Sequence, residues 1–156
     1  MSIDSSTSST GISIFVDSNY KKSVLLETDK KLKGDEKLES MILLIYDLIK
    51  KERPDIVVTE LTAVVRNPKV QRMLTELLGS IRGKCVENKI AYNSLRPTEW
   101  RSVITKIIDQ KPKGRKREDQ KAWSLDVVNN IYGINTESND ISDSYLIGVS
   151  FIENMK

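Results

Sequence analysis

The sequence contains no histidine. That absence removes Ser-His-Asp and Cys-His catalysis, His-ligated zinc and imidazole general bases at a stroke. Cysteine occurs once, at Cys85, so neither an intramolecular disulfide nor a cysteine-built zinc site can form. No stretch approaches the roughly 20 apolar residues that cross a bilayer. The N-terminus lacks the basic-then-apolar pattern of a signal peptide, and a cytoplasmic protein with no membrane partner is expected. Any active site must therefore be assembled from carboxylates, lysine, tyrosine or hydroxyls. A site made only of carboxylates favours the hard, oxygen-loving cations Mg²⁺, Mn²⁺ or Ca²⁺.

What is present suits one α/β domain spanning 1–156: 38% hydrophobic residues and 30% charged residues in a 156-residue chain. The net charge of +3 hides an uneven distribution. Residues 1–60 hold 9 Lys+Arg against 11 Asp+Glu, residues 61–121 hold 15 against 6, and residues 122–156 hold 1 against 5. The three segments thus carry −2, +9 and −4. A basic middle between acidic ends is the pattern of a phosphate-binding surface beside a cation-binding carboxylate cluster, although a solvated basic loop has the same composition.

The chain opens with Met1-Ser-Ile-Asp4, then small hydroxyl residues, Gly11 and the apolar run Ile12–Val16. This predicts a strand ending in Asp4, a tight turn permitted by Gly11, and an antiparallel partner strand. Taken alone, an Asp before a Ser/Thr turn is most often an ordinary turn former. Asp17–Tyr20 predicts a second turn and Val24–Glu27 a third strand. After a polar stretch, Leu38, Met41, Ile42, Ile45, Leu48 and Ile49 recur at helical spacing, and Pro54 ends that helix. Ile56-Val-Val-Thr-Glu60 predicts a strand buried on both faces with a carboxylate at its C-terminal end, where ligands collect in α/β sheets. A helix from Pro68 to Ile81, a strand at 89–95 and a helix opening at Pro97 follow. Trp100 and the other apolar residues of these helices are assigned to the core. Lys111-Pro-Lys-Gly-Arg-Lys-Arg117 packs five cations into seven residues and leads to a helix through Lys121 to about Ile131. A last helix, 140–154, is expected with Asp140 or Asn139 near its N-cap. Asp140 and Asp143 share one face of it.

An Asp at the end of the first strand, a Glu at the end of a central strand and an Asp-x-x-Asp on the last helix form a specific constellation. In Ile3-Asp4-Ser-Ser-Thr, Ile56-Val-Val-Thr-Glu60 and Asp140-Ile-Ser-Asp143-Ser-Tyr, in this order and separation, the chain resembles the RuvC family of Holliday junction resolvases. The size resembles a phage-type member. The resemblance implies an RNase H-like mixed five-stranded sheet flanked by helices. It also implies that Asp4, Glu60, Asp140 and Asp143 bind two divalent metals per active site, Mg²⁺ with Mn²⁺ substituting, with Asp4 bridging. The chemistry implied is phosphodiester hydrolysis, one metal activating water and the other stabilising the leaving 3′-oxygen.

The implied partners are four-way junctions, forks and a second copy of the chain, since a symmetric junction presents paired cleavage sites. The interface is expected on the helix from Pro68 to Ile81. Arg66, Lys69 and Arg72 are candidates to grip phosphates near the site, as are Lys111, Lys113, Arg115, Lys116, Arg117 and Lys121 as a group. Two departures from the family's pattern stand out. The loop 61–67 has no aromatic, whereas bacterial relatives carry one there that enters the junction centre, so broad branch selectivity is expected. Relatives also place more apolar residues before the first Asp, so strand one looks clipped. Two other functions compete. A non-catalytic RNase H-like module would bind branched DNA without cutting it. A sugar-kinase or actin-like protein would use Asp4–Gly11 as a phosphate loop, but needs two domains to clamp ATP.

Overall fold

The computed structural model describes residues 1–62 and 67–156. Five strands form one sheet: β1 (Ser2–Asp4), β2 (Ser9–Val16), β3 (Asn19–Glu27), β4 (Ile56–Glu60) and β5 (Ala91–Leu95). Their order is β3-β2-β1-β4-β5. The first three strands are antiparallel neighbours, while β1–β4 and β4–β5 run parallel. The helices are α1 (Gly34–Glu52), α2 (Pro68–Glu87), α3 (Pro97–Ile108), α4 (Arg117–Asp126) and α5 (Asn139–Asn154). A π-helical turn, Val127–Ile131, continues α4.

Strand alternation sorts the residues onto two faces. Ile3, Ile12, Ile14 and Val57 point to one side, where Met41 and Ile45 of α1 and Leu77 and Ile81 of α2 complete a buried core. Val58 points to the other and meets Trp100, Ile104, Trp123, Tyr145 and Leu146 from α3, α4 and α5. Burying each such side chain is worth about 1.5–3 kcal/mol. The short β1 is the central strand, and β4 beside it is paired on both edges, as its β-branched run predicts.

Several boundaries differ from expectation. Gly11 is not a turn residue: it lies inside β2, opposite Asp4 in the β1–β2 register. Its task is to let α5 approach. A Cβ built at Gly11 would fall inside the Asp140 carbonyl, so only glycine allows the first turn of α5 to lie against β2. Gly148 does the same one helix-length on, where an added Cβ would meet the Phe15 ring and come within 2.7 Å of Ser2 Oγ. Between them Ser2 Oγ donates to the Ser144 carbonyl at 2.7 Å, and the Ser13 and Ser144 hydroxyls pair at 2.9 Å. The seam between α5 and the sheet is therefore built of glycines and serines.

The hairpin β2–β3 turns on Asp17 and Ser18 alone, both with positive φ (49° and 65°), which makes β3 longer than predicted. Two consecutive left-handed residues match the right-handed twist of the strands. Helix α1 begins at Gly34 rather than Leu38, and α2 extends past Ile81 to Glu87. The N-cap of α5 is Ser138, whose Oγ accepts from the Ile141 N–H at 3.2 Å, and not Asn139 or Asp140.

Candidate active site

Parallel pairing aligns Ser2 with Val58 and Ile3 with Thr59, and the same offset sets Asp4 beside Glu60. Both carboxylates then project from the sheet face that α5 covers. Because Gly11 leaves the space next to Asp4 open to the first turn of α5, Asp140 and Asp143 come near enough for their charges to act on the Asp4 carboxylate. Four acids distant in sequence thus meet at the C-terminal ends of β1 and β4.

Glu60 and Asp140 are each held by a neighbour, and Asp143 has a cation at the limit of pairing. Trp100 Nε1–H donates to Glu60 Oε2 at 2.5 Å, and Ser9 Oγ donates to Asp140 Oδ2 at 2.6 Å. Arg101 Nη2 stands 4.0 Å from Asp143 Oδ2, the outer limit of an ion pair, while its guanidinium carbon lies 4.4 Å from the centre of the Trp100 ring. Asp143 Oδ1 is buried without a hydrogen-bond partner. Among the described residues, no three acids are drawn together into a ready-made metal cage.

The acids perturb one another. Burial pushes the Asp4 pKa well above the usual carboxylate range, and the charges of Asp143, Glu60 and Asp140 push it further, against a pull from Lys121. Burial raises Glu60 too, opposed by the Trp100 hydrogen bond and by Arg101. Asp143 is raised by burial, with Ser124, Arg101 and Lys121 pulling the other way. The Ser124 hydroxyl lies close enough to Asp143 to act on it, yet neither Ser124 Oγ nor Asp143 Oδ1 completes a well-formed hydrogen bond. An oxygen-only donor set, strained by its own charge and retaining an unpaired buried carboxylate oxygen, fits a hard divalent cation.

No family model matches the chain, and no curated protein sequence matches it. Solved structures do. Thermus thermophilus RuvC in complex with a Holliday junction substrate superposes over 99% of this chain and 94% of its own, with a TM-score of 0.72 at 14% identity. The yeast mitochondrial Holliday junction resolvase follows with a TM-score of 0.60 at 14% identity, covering 97% of this chain and 76% of its own. The fowlpox virus resolvase, solved with substrate Holliday junction DNA, matches 98% of this chain and 97% of its own with a TM-score of 0.55 at 16% identity. The fold is that of the RuvC resolvases.

Within this RuvC-type, RNase H-like α/β fold, the basic residues separate into groups. Lys111, Lys113 and Arg115 line a groove of about 680 Å³ against α3, and Arg101 lines the same groove. Arg101 therefore joins the basic groove to the acids. Lys116 and Arg117 stand exposed at the start of α4, and Lys121, one turn on, is close enough to lower the pKa of both Asp4 and Asp143. Lys69 is exposed in the first turn of α2. Arg72 is occupied: it pairs with Asp35 at 2.9 Å and Glu76 at 3.2 Å, tying α2 to α1. Arg66 and most of the loop that lacks an aromatic lie outside the described residues. Trp100, Arg101, Ser9 and Ser124 were not foreseen as site residues. The signal for the first was available, because a buried indole N–H needs an acceptor and Glu60 ends the neighbouring strand.

Proposed function

We propose that residues 1–156 form one nuclease domain, a divalent-metal-dependent endonuclease that hydrolyses phosphodiesters in Holliday junctions and other branched DNA. Its setting is DNA recombination or debranching in the cytoplasm of a bacterium or a phage-infected cell. The observation that carries this is the convergence of Asp4, Glu60, Asp140 and Asp143 beside a basic groove, in a fold shared from end to end with junction resolvases. These four would hold two Mg²⁺ or Mn²⁺ ions, which when bound supply an activated water and stabilise the leaving 3′-oxygen.

The chain's own residues prepare that chemistry. Trp100 fixes the carboxylate of Glu60, and Ser9 fixes that of Asp140. Arg101 and Lys121 offset the negative charge from the groove side and give phosphates a path to the acids. Lys111, Lys113, Arg115, Lys116 and Arg117 extend that path, with Lys69 at the start of α2; Arg66 is proposed as a phosphate contact from its sequence position alone. These are phosphate contacts, so they set affinity and orientation rather than sequence choice.

A junction has two strands to cut, and the active form is a homodimer. Helix α2 supports this: its inner side sends Met73, Leu77, Ile81 and Cys85 into the core, while on its outward side Val86 is exposed and nothing lies over Gly79 or Gly83.

The test is cleavage of end-labelled four-way, forked and linear duplex DNA with Mg²⁺, Mn²⁺, Ca²⁺ or EDTA, beside Glu60→Gln. Metal-dependent nicking of branched substrates, lost in the variant, is the expected result. Tight branch binding with no cutting in any metal would instead indicate a non-catalytic DNA-binding module.

A further inference from the structure

Six side-chain nitrogen or oxygen atoms among the described residues are buried without a hydrogen-bond partner, and four of them belong to Asp143 or to residues near it in space or on its helix. They are Arg101 Nε from α3, Ser124 Oγ from α4, and Asn139 Oδ1 and Asp143 Oδ1 from α5. Leaving a polar atom buried and unpaired is costly, and native structures do it rarely. Three of the four are oxygens, the atoms a hard cation takes as ligands, whereas Arg101 Nε can only donate.

Asn139 is the member with no other task. Asparagine at a helix start usually caps it, but here Ser138 does so, accepting from the Ile141 N–H. The Asn139 main-chain carbonyl is used as well, accepting from Ser142 Oγ at 2.8 Å. Its side-chain carbonyl remains. Asn139 precedes Asp143 by four residues, so the two share a helix face with Asp140 alongside. Ser124, fully buried, approaches the same carboxylate from α4.

We propose that Asn139 Oδ1 is a further ligand of the divalent cation shared with Asp140 and Asp143, and that Ser124 positions the Asp143 carboxylate for it. Hard cations take six or more oxygen ligands, and an amide carbonyl is an ordinary one. In a site that already carries four acids, a neutral oxygen completes the coordination without a fifth negative charge. This inference rests on the metal-dependent reading above, and deepens it by naming donors that the four-acid constellation does not include.

The experiment is calorimetric titration of Mn²⁺ and Ca²⁺ into the full chain and into Asn139→Ala, Asn139→Asp and Ser124→Ala, each first shown to keep its melting temperature in EDTA. Asn139→Ala should weaken cation binding about tenfold or more, and Ser124→Ala about tenfold. Asn139→Asp, with an oxygen in the same place, should bind at least as tightly as the wild type. Wild-type affinity in both Asn139 variants would overturn the inference while leaving the four acids as the metal site. No cation binding by the wild-type chain would overturn the nuclease reading and this inference together.

Discussion

At the scale of single residues, the candidate site is a set of carboxylates, three of which have a side-chain partner from a neighbouring element. Trp100 is the clearest case. Its indole holds Glu60 from a position that sequence periodicity assigns simply to the core. Trp100→Phe keeps the packing and removes the donor, so the protein should fold normally and cleave roughly 10–100 times more slowly at saturating metal, read from single-turnover rates. An unchanged rate would mean that Glu60 needs no such restraint. Asp4 makes the opposite prediction about stability. Its folded-state pKa lies above the unfolded value, so its burden is absent below about pH 4, where both states are protonated. It grows as the pH rises through the folded pKa. Metal-free protein should therefore become less stable from about pH 4 toward neutrality. Asp4→Asn should melt higher than wild type in EDTA at neutral pH, by about 2–4 °C for each ~1 kcal/mol of repulsion relieved. The same variant should lose cleavage while still binding branched DNA, as a gel-shift assay would show.

At the scale of elements, the acids meet because two kinds of contact agree. The parallel β1–β4 register sets Asp4 beside Glu60, and the glycine–serine seam brings α5 down onto the sheet. Gly11→Ala tests the second. The new methyl collides with main chain rather than with a flexible side chain, so α5 must move. A destabilisation of about 1–3 kcal/mol is expected in urea unfolding. The loss of activity at a temperature where the variant is fully folded should be larger, because the displacement falls on Asp140. The carboxylates themselves were legible in the sequence, since strand ends and an i, i+3 helical pair are local patterns. The role of Gly11 was not, because a glycine between hydroxyl residues and an apolar run resembles a turn, and its real constraint comes from a helix some 130 residues later. Arg72 is a similar case: its pairing with Asp35 on α1 is visible only in three dimensions. The turn at Asp17–Tyr20 was legible, but its restriction to Asp17 and Ser18 was not, because neither residue is the glycine that usually marks a left-handed position.

At the scale of the whole molecule, the proposed junction cleavage depends on charge and symmetry. The groove lined by Lys111, Lys113 and Arg115 adjoins the acids through Arg101, so this part of the basic middle borders the carboxylates. Replacing those three with Gln should weaken junction binding and flatten the dependence of log K on log salt by about 0.9 for each phosphate contact removed. An unaltered salt slope would place the DNA elsewhere. Light scattering should find a dimer for the wild type and a monomer for Gly79→Glu/Gly83→Glu, since those positions lie on the open side of α2. A wild-type monomer on junction DNA would remove α2 as the interface.

The contact between Trp100 and Glu60 has one more consequence. An indole whose N–H faces a carboxylate, with a guanidinium over its ring, sits in a strong local field. Of the two tryptophans in the chain, the other, Trp123, packs in the same core beside Ser124. Any change of charge at the acids should therefore shift the colour and yield of intrinsic fluorescence, and the protein reports on its candidate site without a label.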